Sequence, residues 1–117
     1  MSIVGGVDLY FDRRGRALTR DEWMARVLPG GRITERVAFA DLGRAGQVST
    51  IFTGLDLGFG GRPLLFETMI FGGVLDGACG RYSTEAQAKR GHRAYVRLLR
   101  AAYRRRAPLI HNGRKPR

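Results

Sequence analysis

The chain has 117 residues, 44% of them apolar, with a single cysteine and a formal net charge of +11. This length suits one domain with a single core, and the apolar content is too high for a disordered chain. A lone Cys79 excludes a disulfide framework and a cysteine-based zinc cluster, and no apolar run approaches the length of a membrane span. Because the first residues also lack the pattern of a secretion signal, we expect a cytoplasmic protein. We also expect it to bind no metal ion or cofactor.

The positive charge is concentrated at the C-terminal end of the chain. Residues 1–85 contain ten basic and ten acidic side chains, whereas residues 86–117 contain eleven basic side chains and no acidic one. Such asymmetry indicates an anionic partner.

The N-terminal part predicts a strand, a turn, a helix and a second strand. Apolar residues predict the first strand over 7–11, and Asp12 and Gly15 suit the first and last positions of a type I turn. Thr19 and Glu22 have the spacing of a capping box, which predicts a helix over 20–28 with Trp23 in the core. The second strand is expected over 32–40.

The most β-prone stretch runs from residue 47 to 73 and is expected to form the centre of a sheet. Its two apolar runs, 47–53 and 64–71, predict antiparallel strands joined by a glycine-rich loop over 54–63. A turn over 41–46 leads into the first of these runs. Residues 72–80 predict a loop, after which residues 81–82 touch the sheet briefly.

The C-terminal part predicts one long helix. Residues 84–87 form a second capping box and Pro108 is a helix breaker, so the helix is expected over 85–106, although Gly91 weakens it by about 1 kcal/mol relative to alanine. At 100° per residue, one side should dock on the sheet through Ala88, His92, Tyr95, Leu99 and Ala102. The opposite side carries five arginines, here called the arginine stripe: Arg90, Arg93, Arg97, Arg100 and Arg104.

These elements predict an α+β fold: an antiparallel sheet of about four strands, with the long C-terminal helix on one face and the short N-terminal helix at an edge. The expected organisation is a single domain over 1–107 followed by a mobile, basic C-terminal tail over 108–117.

Two regions are candidate anion-binding sites. The arginine stripe, extended by Arg105 and Arg106, could follow a phosphate backbone or an acidic protein groove, because guanidinium groups suit phosphate and carboxylate. The alternative is a solvated helix face. The loop over 54–63 could cradle a phosphate through Asp56, Gly58, Gly60 and Arg62, although it lacks the ending of a P-loop and a structural role is the favoured interpretation.

The sequence offers no convincing catalytic group. Glu67 lies in an apolar strand, so it is expected to be exposed or paired with Arg36, Arg62 or His92. His92 is expected to be a hydrogen-bonded core histidine rather than a metal ligand. Cys79 has no histidine close to it in the sequence and is a poor candidate nucleophile.

From residue 47 onward the chain resembles a group of small proteins encoded by bacteriophages and prophages, with the linked motifs V-S-T-x-(W/F)-x-G-L-D-H-x-F-G, P-L-x-F-E-T-M-x-F and Y-x-T-x-x-E-A-x-x-G-H. The segments Tyr10–Gly15 and Asp21–Trp23 also resemble the opening of these proteins, so the resemblance covers most of residues 10–92. Leu57 stands where many of them carry histidine, and Gln87–Ala88 replaces Glu-Ala, so no role of that histidine transfers. The matching residues are Val48, Ser49, Thr50, Gly54, Leu55, Asp56, Phe59, Gly60, Pro63, Leu64, Phe66, Glu67, Thr68, Met69, Phe71, Tyr82, Thr84, Ala88, Gly91 and His92.

The resemblance implies an accessory protein of a phage or mobile element that acts in a bacterial host. With the charge asymmetry, it leads to the hypothesis of a non-enzymatic binding protein whose partner is nucleic acid, a nucleotide signal or a host defence complex that binds nucleic acid. The alternative is a structural subunit of a virion or larger assembly, whose basic helix packs on an acidic protein surface. A small hydrolase using Glu67 and His92 has the least support.

Overall fold

The computed structural model describes residues 9–27, 35–58 and 60–114 and confirms the α+β class. The main sheet has four antiparallel strands in the order β3 (Glu35–Asp41), β4 (Gln47–Phe52), β5 (Phe66–Phe71) and β6 (Cys79–Tyr82). Helix α2 (Glu85–Arg114) packs against all four strands of this sheet. Among the described helices, none combines the length and the hydropathy that crossing a bilayer would require.

The predicted first strand lies in a separate hairpin rather than in the main sheet. Strand β1 (Tyr10–Phe11) pairs with β2 (Ala17–Leu18), and the predicted turn is confirmed by the bond from Gly15 N to Asp12 O at 3.0 Å. Helix α1 (Arg20–Val27) packs on this hairpin, where Trp23 stacks against Tyr10 with ring centroids 4.7 Å apart. Trp23 is therefore half-buried beside the hairpin. The prediction had placed α1 at an edge of the main sheet, whereas α1 packs on the hairpin. Residues 7–8, 28 and 32–34 of the predicted elements lie outside the described residues.

The last strand of the main sheet, β6, is longer than the brief contact predicted for residues 81–82. Backbone bonds within 72–78 close a compact loop, so β6 begins at Cys79 and pairs with β5 as far as Tyr82. Strand β6 therefore takes the place in the four-stranded sheet that the prediction gave to the first strand.

The core lies between α2 and one face of the sheet, because the strands alternate side chains between the two faces. In β4 and β5 the buried residues are every second one: Val48, Thr50, Phe52, Phe66, Thr68 and Ile70. The predicted inner side of α2 is confirmed, since Ala88, His92, Leu99 and Ala102 are all buried and Tyr95 is half-buried.

The end of α2 differs from the prediction. The predicted end before Pro108 is wrong, since the helix continues to Arg114 although proline removes one backbone donor and crowds the preceding turn. Residues 115–117 lie outside the described residues, and the division into a domain and a tail stays a prediction.

Candidate anion-binding surface

The start of α2 sets the direction in which its arginines point. Thr84 Oγ1 accepts a hydrogen bond from Gln87 N at 3.1 Å, and Gln87 Oε1 accepts from Ser83 N and Thr84 N, which is the predicted capping box. The apolar side of the helix is then fixed on the sheet by Ala88 and Leu99, both fully buried. All five residues of the arginine stripe are consequently exposed. Arg104 lies fourteen positions after Arg90, which corresponds to about 20 Å along the helix axis.

Glu85 is the sole acidic residue of α2, and it is already paired. Its two carboxylate oxygens accept from Arg13 Nε at 2.7 Å and Nη2 at 3.0 Å, and Lys89 Nζ lies 3.2 Å away. The hydrogen bonds from Arg13 are the main reason why the pKa of Glu85 lies below its usual value. Within the described residues, no residue of the arginine stripe forms an ion pair with a carboxylate.

The two arginines predicted to extend the stripe lie on different sides of the helix. Both are exposed, but Arg106 lies one turn after the buried Ala102, on the same side of α2 as the residues that pack on the sheet. There it lines a groove of about 430 Å³ together with Arg44, Val74 and Tyr103. Arg106 therefore adds to a second basic surface rather than to the arginine stripe itself.

The loop between β4 and β5 is held together by its own hydrogen bonds, which fits the structural role that the sequence favoured. Asp56 Oδ1 accepts hydrogen bonds from Gly58 N at 2.8 Å and Leu64 N at 3.0 Å, so the Asp56 carboxylate is engaged by its own loop. Gly60 is exposed and has a φ of 81°. Arg62 lines a cleft together with residues of the N-terminal hairpin and of the start of α2.

Glu67 and His92 lie on opposite faces of the sheet. Thr68 faces α2, so its neighbour Glu67 faces away and pairs across the strands with Arg81, with 3.3 Å between Nε and Oε2. The predicted structural pairing of Glu67 is therefore confirmed, but its partner is Arg81 and not one of the three named candidates. A site that joins Glu67 to His92 is ruled out by this geometry.

His92 is a buried, hydrogen-bonded histidine, as predicted. Its Nδ1 lies 2.8 Å from Thr50 Oγ1, and Thr50 Oγ1 lies 2.6 Å from Thr68 Oγ1. Burial, with a smaller contribution from the charge of Arg93, lowers the pKa of His92 below its ordinary value of 6.5. In the described ranges no three acidic, histidine or cysteine side chains come together as metal ligands, and Cys79 is exposed on β6.

This environment predicts that acid destabilises the fold through His92. A histidine whose pKa is lower in the folded than in the unfolded state contributes stability that is present above pH 6.5 and lost as the pH falls through that value toward the folded pKa. The free energy of unfolding in urea should therefore decrease between pH 7.5 and pH 5. In a His92→Gln variant this decrease should be smaller, and an equal decrease in both proteins would assign it to other groups.

The fold and the exposed charges define a class: a small α+β protein with a continuous basic helix face. Comparisons with protein-family models, with curated proteins and with solved structures give no match.

The prediction from the sequence did not include Arg13 and Arg14 among the candidate site residues. The structure places both beside Arg62 and the first residues of α2. The run of two arginines in the predicted turn was the available signal, but its position relative to α2 depends on tertiary structure.

Proposed function

We propose that the protein binds the phosphate backbone of nucleic acids through the arginine stripe. The observation that carries this proposal is the set of five exposed guanidinium groups along one side of α2, none of them paired with a carboxylate among the described residues. Like charges three or four residues apart on a helix repel one another, so an anionic partner would relieve a cost that the free protein bears. Guanidinium groups also donate paired hydrogen bonds to phosphate oxygens.

Binding of this kind is expected to depend steeply on salt and weakly on sequence. If all five arginines displace counterions from duplex DNA, log K should fall with log salt concentration with a slope of about −4.5. Fluorescence anisotropy with a labelled 20-base-pair duplex at several salt concentrations between 50 and 200 mM measures this slope. A slope near zero would contradict the proposal.

The resemblance to phage and prophage proteins supports a role in a bacterial host. The arginine stripe would then bind the nucleic acid that a host defence complex recognises, or an acidic surface of that complex. Sequestration of an anionic nucleotide signal is the small-ligand form of the same activity.

The second candidate is a structural subunit of a larger assembly, and the uncovered face of the sheet favours it. On that face Phe39 and Phe71 are 45% and 49% exposed. The arginine stripe would then pack on an acidic protein surface. Binding to polyglutamate of matched charge but not to DNA would favour this candidate over the first.

A further inference from the structure

A cleft of about 380 Å³ lies where three distant parts of the chain meet. The β1–β2 turn contributes Arg14, the end of the loop between β4 and β5 contributes Arg62, and the residues just before α2 contribute Ser83 and Thr84. Leu65, which is almost fully buried, adds an apolar part to the lining. The volume falls in the range of small-ligand sites, about 300 to 1,000 Å³.

The cleft carries two guanidinium groups that are free to bind an anion. Arg14 and Arg62 are exposed, and neither forms an ion pair with a carboxylate in the parts of the chain that the structure describes. They come from segments far apart in the sequence, yet both line the same cleft. Their shared surroundings therefore have a positive charge that no carboxylate within the described ranges neutralises by an ion pair.

Arg13 and Glu85 also line the cleft, but they act as a fixed pair. Arg13 Nε and Nη2 donate to Glu85, and Arg13 Nη1 donates to Glu35 at 3.1 Å. The Glu85 carboxylate would repel an anion if it were alone. Its contacts with Arg13 and Lys89 offset that charge and hold the hairpin against the start of α2.

The hydroxyl group of Thr84 adds a hydrogen-bond donor to the lining of the cleft. Thr84 Oγ1 accepts a hydrogen bond from Gln87 N, so its hydrogen is left to donate to a ligand. Ser83 places a second hydroxyl group on the same lining.

We propose that this cleft binds a terminal phosphate monoester. Such a group carries about −1.5 to −2 charges at pH 7 and three acceptor oxygens, which match two guanidinium groups and two hydroxyl donors. A small phosphorylated molecule and the 5′ end of a nucleic-acid strand share this chemistry. The site is separate from the arginine stripe and does not rest on the function proposed for it.

The test is a titration of the isotope-labelled full chain with inorganic phosphate and with adenosine 5′-monophosphate, followed by NMR. The amide signals of Arg14, Arg62, Ser83 and Thr84 should shift together and saturate. An R14Q/R62Q variant should lose about tenfold or more in affinity, because two charge-assisted contacts are removed. The matched variant R26Q/R44Q removes the same charge at exposed positions outside the cleft and should bind as the parent does.

Equal losses in the two variants, or shifts spread evenly over all surface arginines, would overturn the proposal. A short oligonucleotide with and without a 5′-phosphate then distinguishes the two ligand sources, since a preference for the phosphorylated strand identifies a strand end. Replacing the arginine stripe by glutamine should leave the phosphate-induced shifts in the cleft unchanged. This outcome separates failure of the cleft from failure of the arginine stripe.

Discussion

Replacing all five arginines of the stripe by glutamine is expected to abolish duplex DNA binding while leaving the fold intact. Each side chain is exposed and unpaired with a carboxylate in the described ranges, so glutamine removes a charge without opening a cavity or stranding a buried partner. Loss of five phosphate contacts removes the whole slope of about −4.5, and the affinity at 50 mM salt should fall by at least about 100-fold. Anisotropy with the labelled duplex measures the affinity, and thermal unfolding followed by circular dichroism measures the fold.

A charge-matched variant decides whether arrangement or total charge causes the binding. Five other exposed arginines outside the cleft can be replaced by glutamine with the same loss of net charge: Arg16, Arg20, Arg26, Arg36 and Arg44. Because these side chains do not form a line on one helix, this variant should retain most of the salt slope on a duplex without 5′-phosphates. Equal loss in the two variants would mean that the protein attracts DNA through net charge alone, and the arginine stripe would then have no particular role.

Patterns that repeat along the sequence predicted most of the fold. In β4 and β5 buried side chains alternate along the strand, and in α2 they recur with the period of about 3.6 residues of an α-helix. Both patterns involve only residues close together in the sequence. The buried faces of these elements and the exposed arginines of α2 could therefore be predicted before the structure. The two capping boxes are local as well. Their hydrogen bonds are present at Thr19 and Glu22 and at Thr84 and Gln87.

Features that depend on contacts between distant segments could not be predicted in this way. Arg13 and Glu85 are 72 residues apart in the sequence, and nothing local to either one indicates the other. The pairing of Glu67 with Arg81 follows from the register of β5 with β6, and β6 is only weakly indicated because two of its four residues are Cys79 and Gly80. The cleft lined by Arg14 and Arg62 exists because of these long-range contacts.

Gly91 shows how a tertiary contact can reverse an inference from local propensity. In an isolated helix, alanine at this position would be favoured by about 1 kcal/mol. In the folded protein the ring of Tyr82 lies against Gly91, and a Cβ atom there would overlap Tyr82 Oη, Cζ and Cε1. Tyr82 is itself packed against the buried cluster that contains Phe66 and Ala88, so its ring has little room to move. The absence of a side chain at Gly91 therefore lets α2 approach β6 closely.

Gly91→Ala is consequently expected to destabilise the protein. Overpacking of a core contact costs about 1 to 3 kcal/mol, and the gain in helix propensity returns about 1 kcal/mol of this. The net loss of stability should therefore reach up to about 2 kcal/mol, which corresponds to a fall in Tm of up to about 8 °C. Urea unfolding of the variant and of the parent measures the difference. An Ala94→Gly variant, at an exposed position three residues further along α2, measures the propensity contribution in the same helix.

A double-mutant cycle with Tyr82 tests the cause of this effect. If the ring is responsible, Gly91→Ala introduced into a Tyr82→Leu background should cost less than in the parent, because leucine ends before the position of the tyrosine Cζ and Oη atoms. In that background the higher helix propensity of alanine would determine the change in stability, so Gly91→Ala should become neutral or stabilising. An unchanged cost in both backgrounds would show that Tyr82 does not impose the glycine, and the close approach of α2 to β6 would need another explanation.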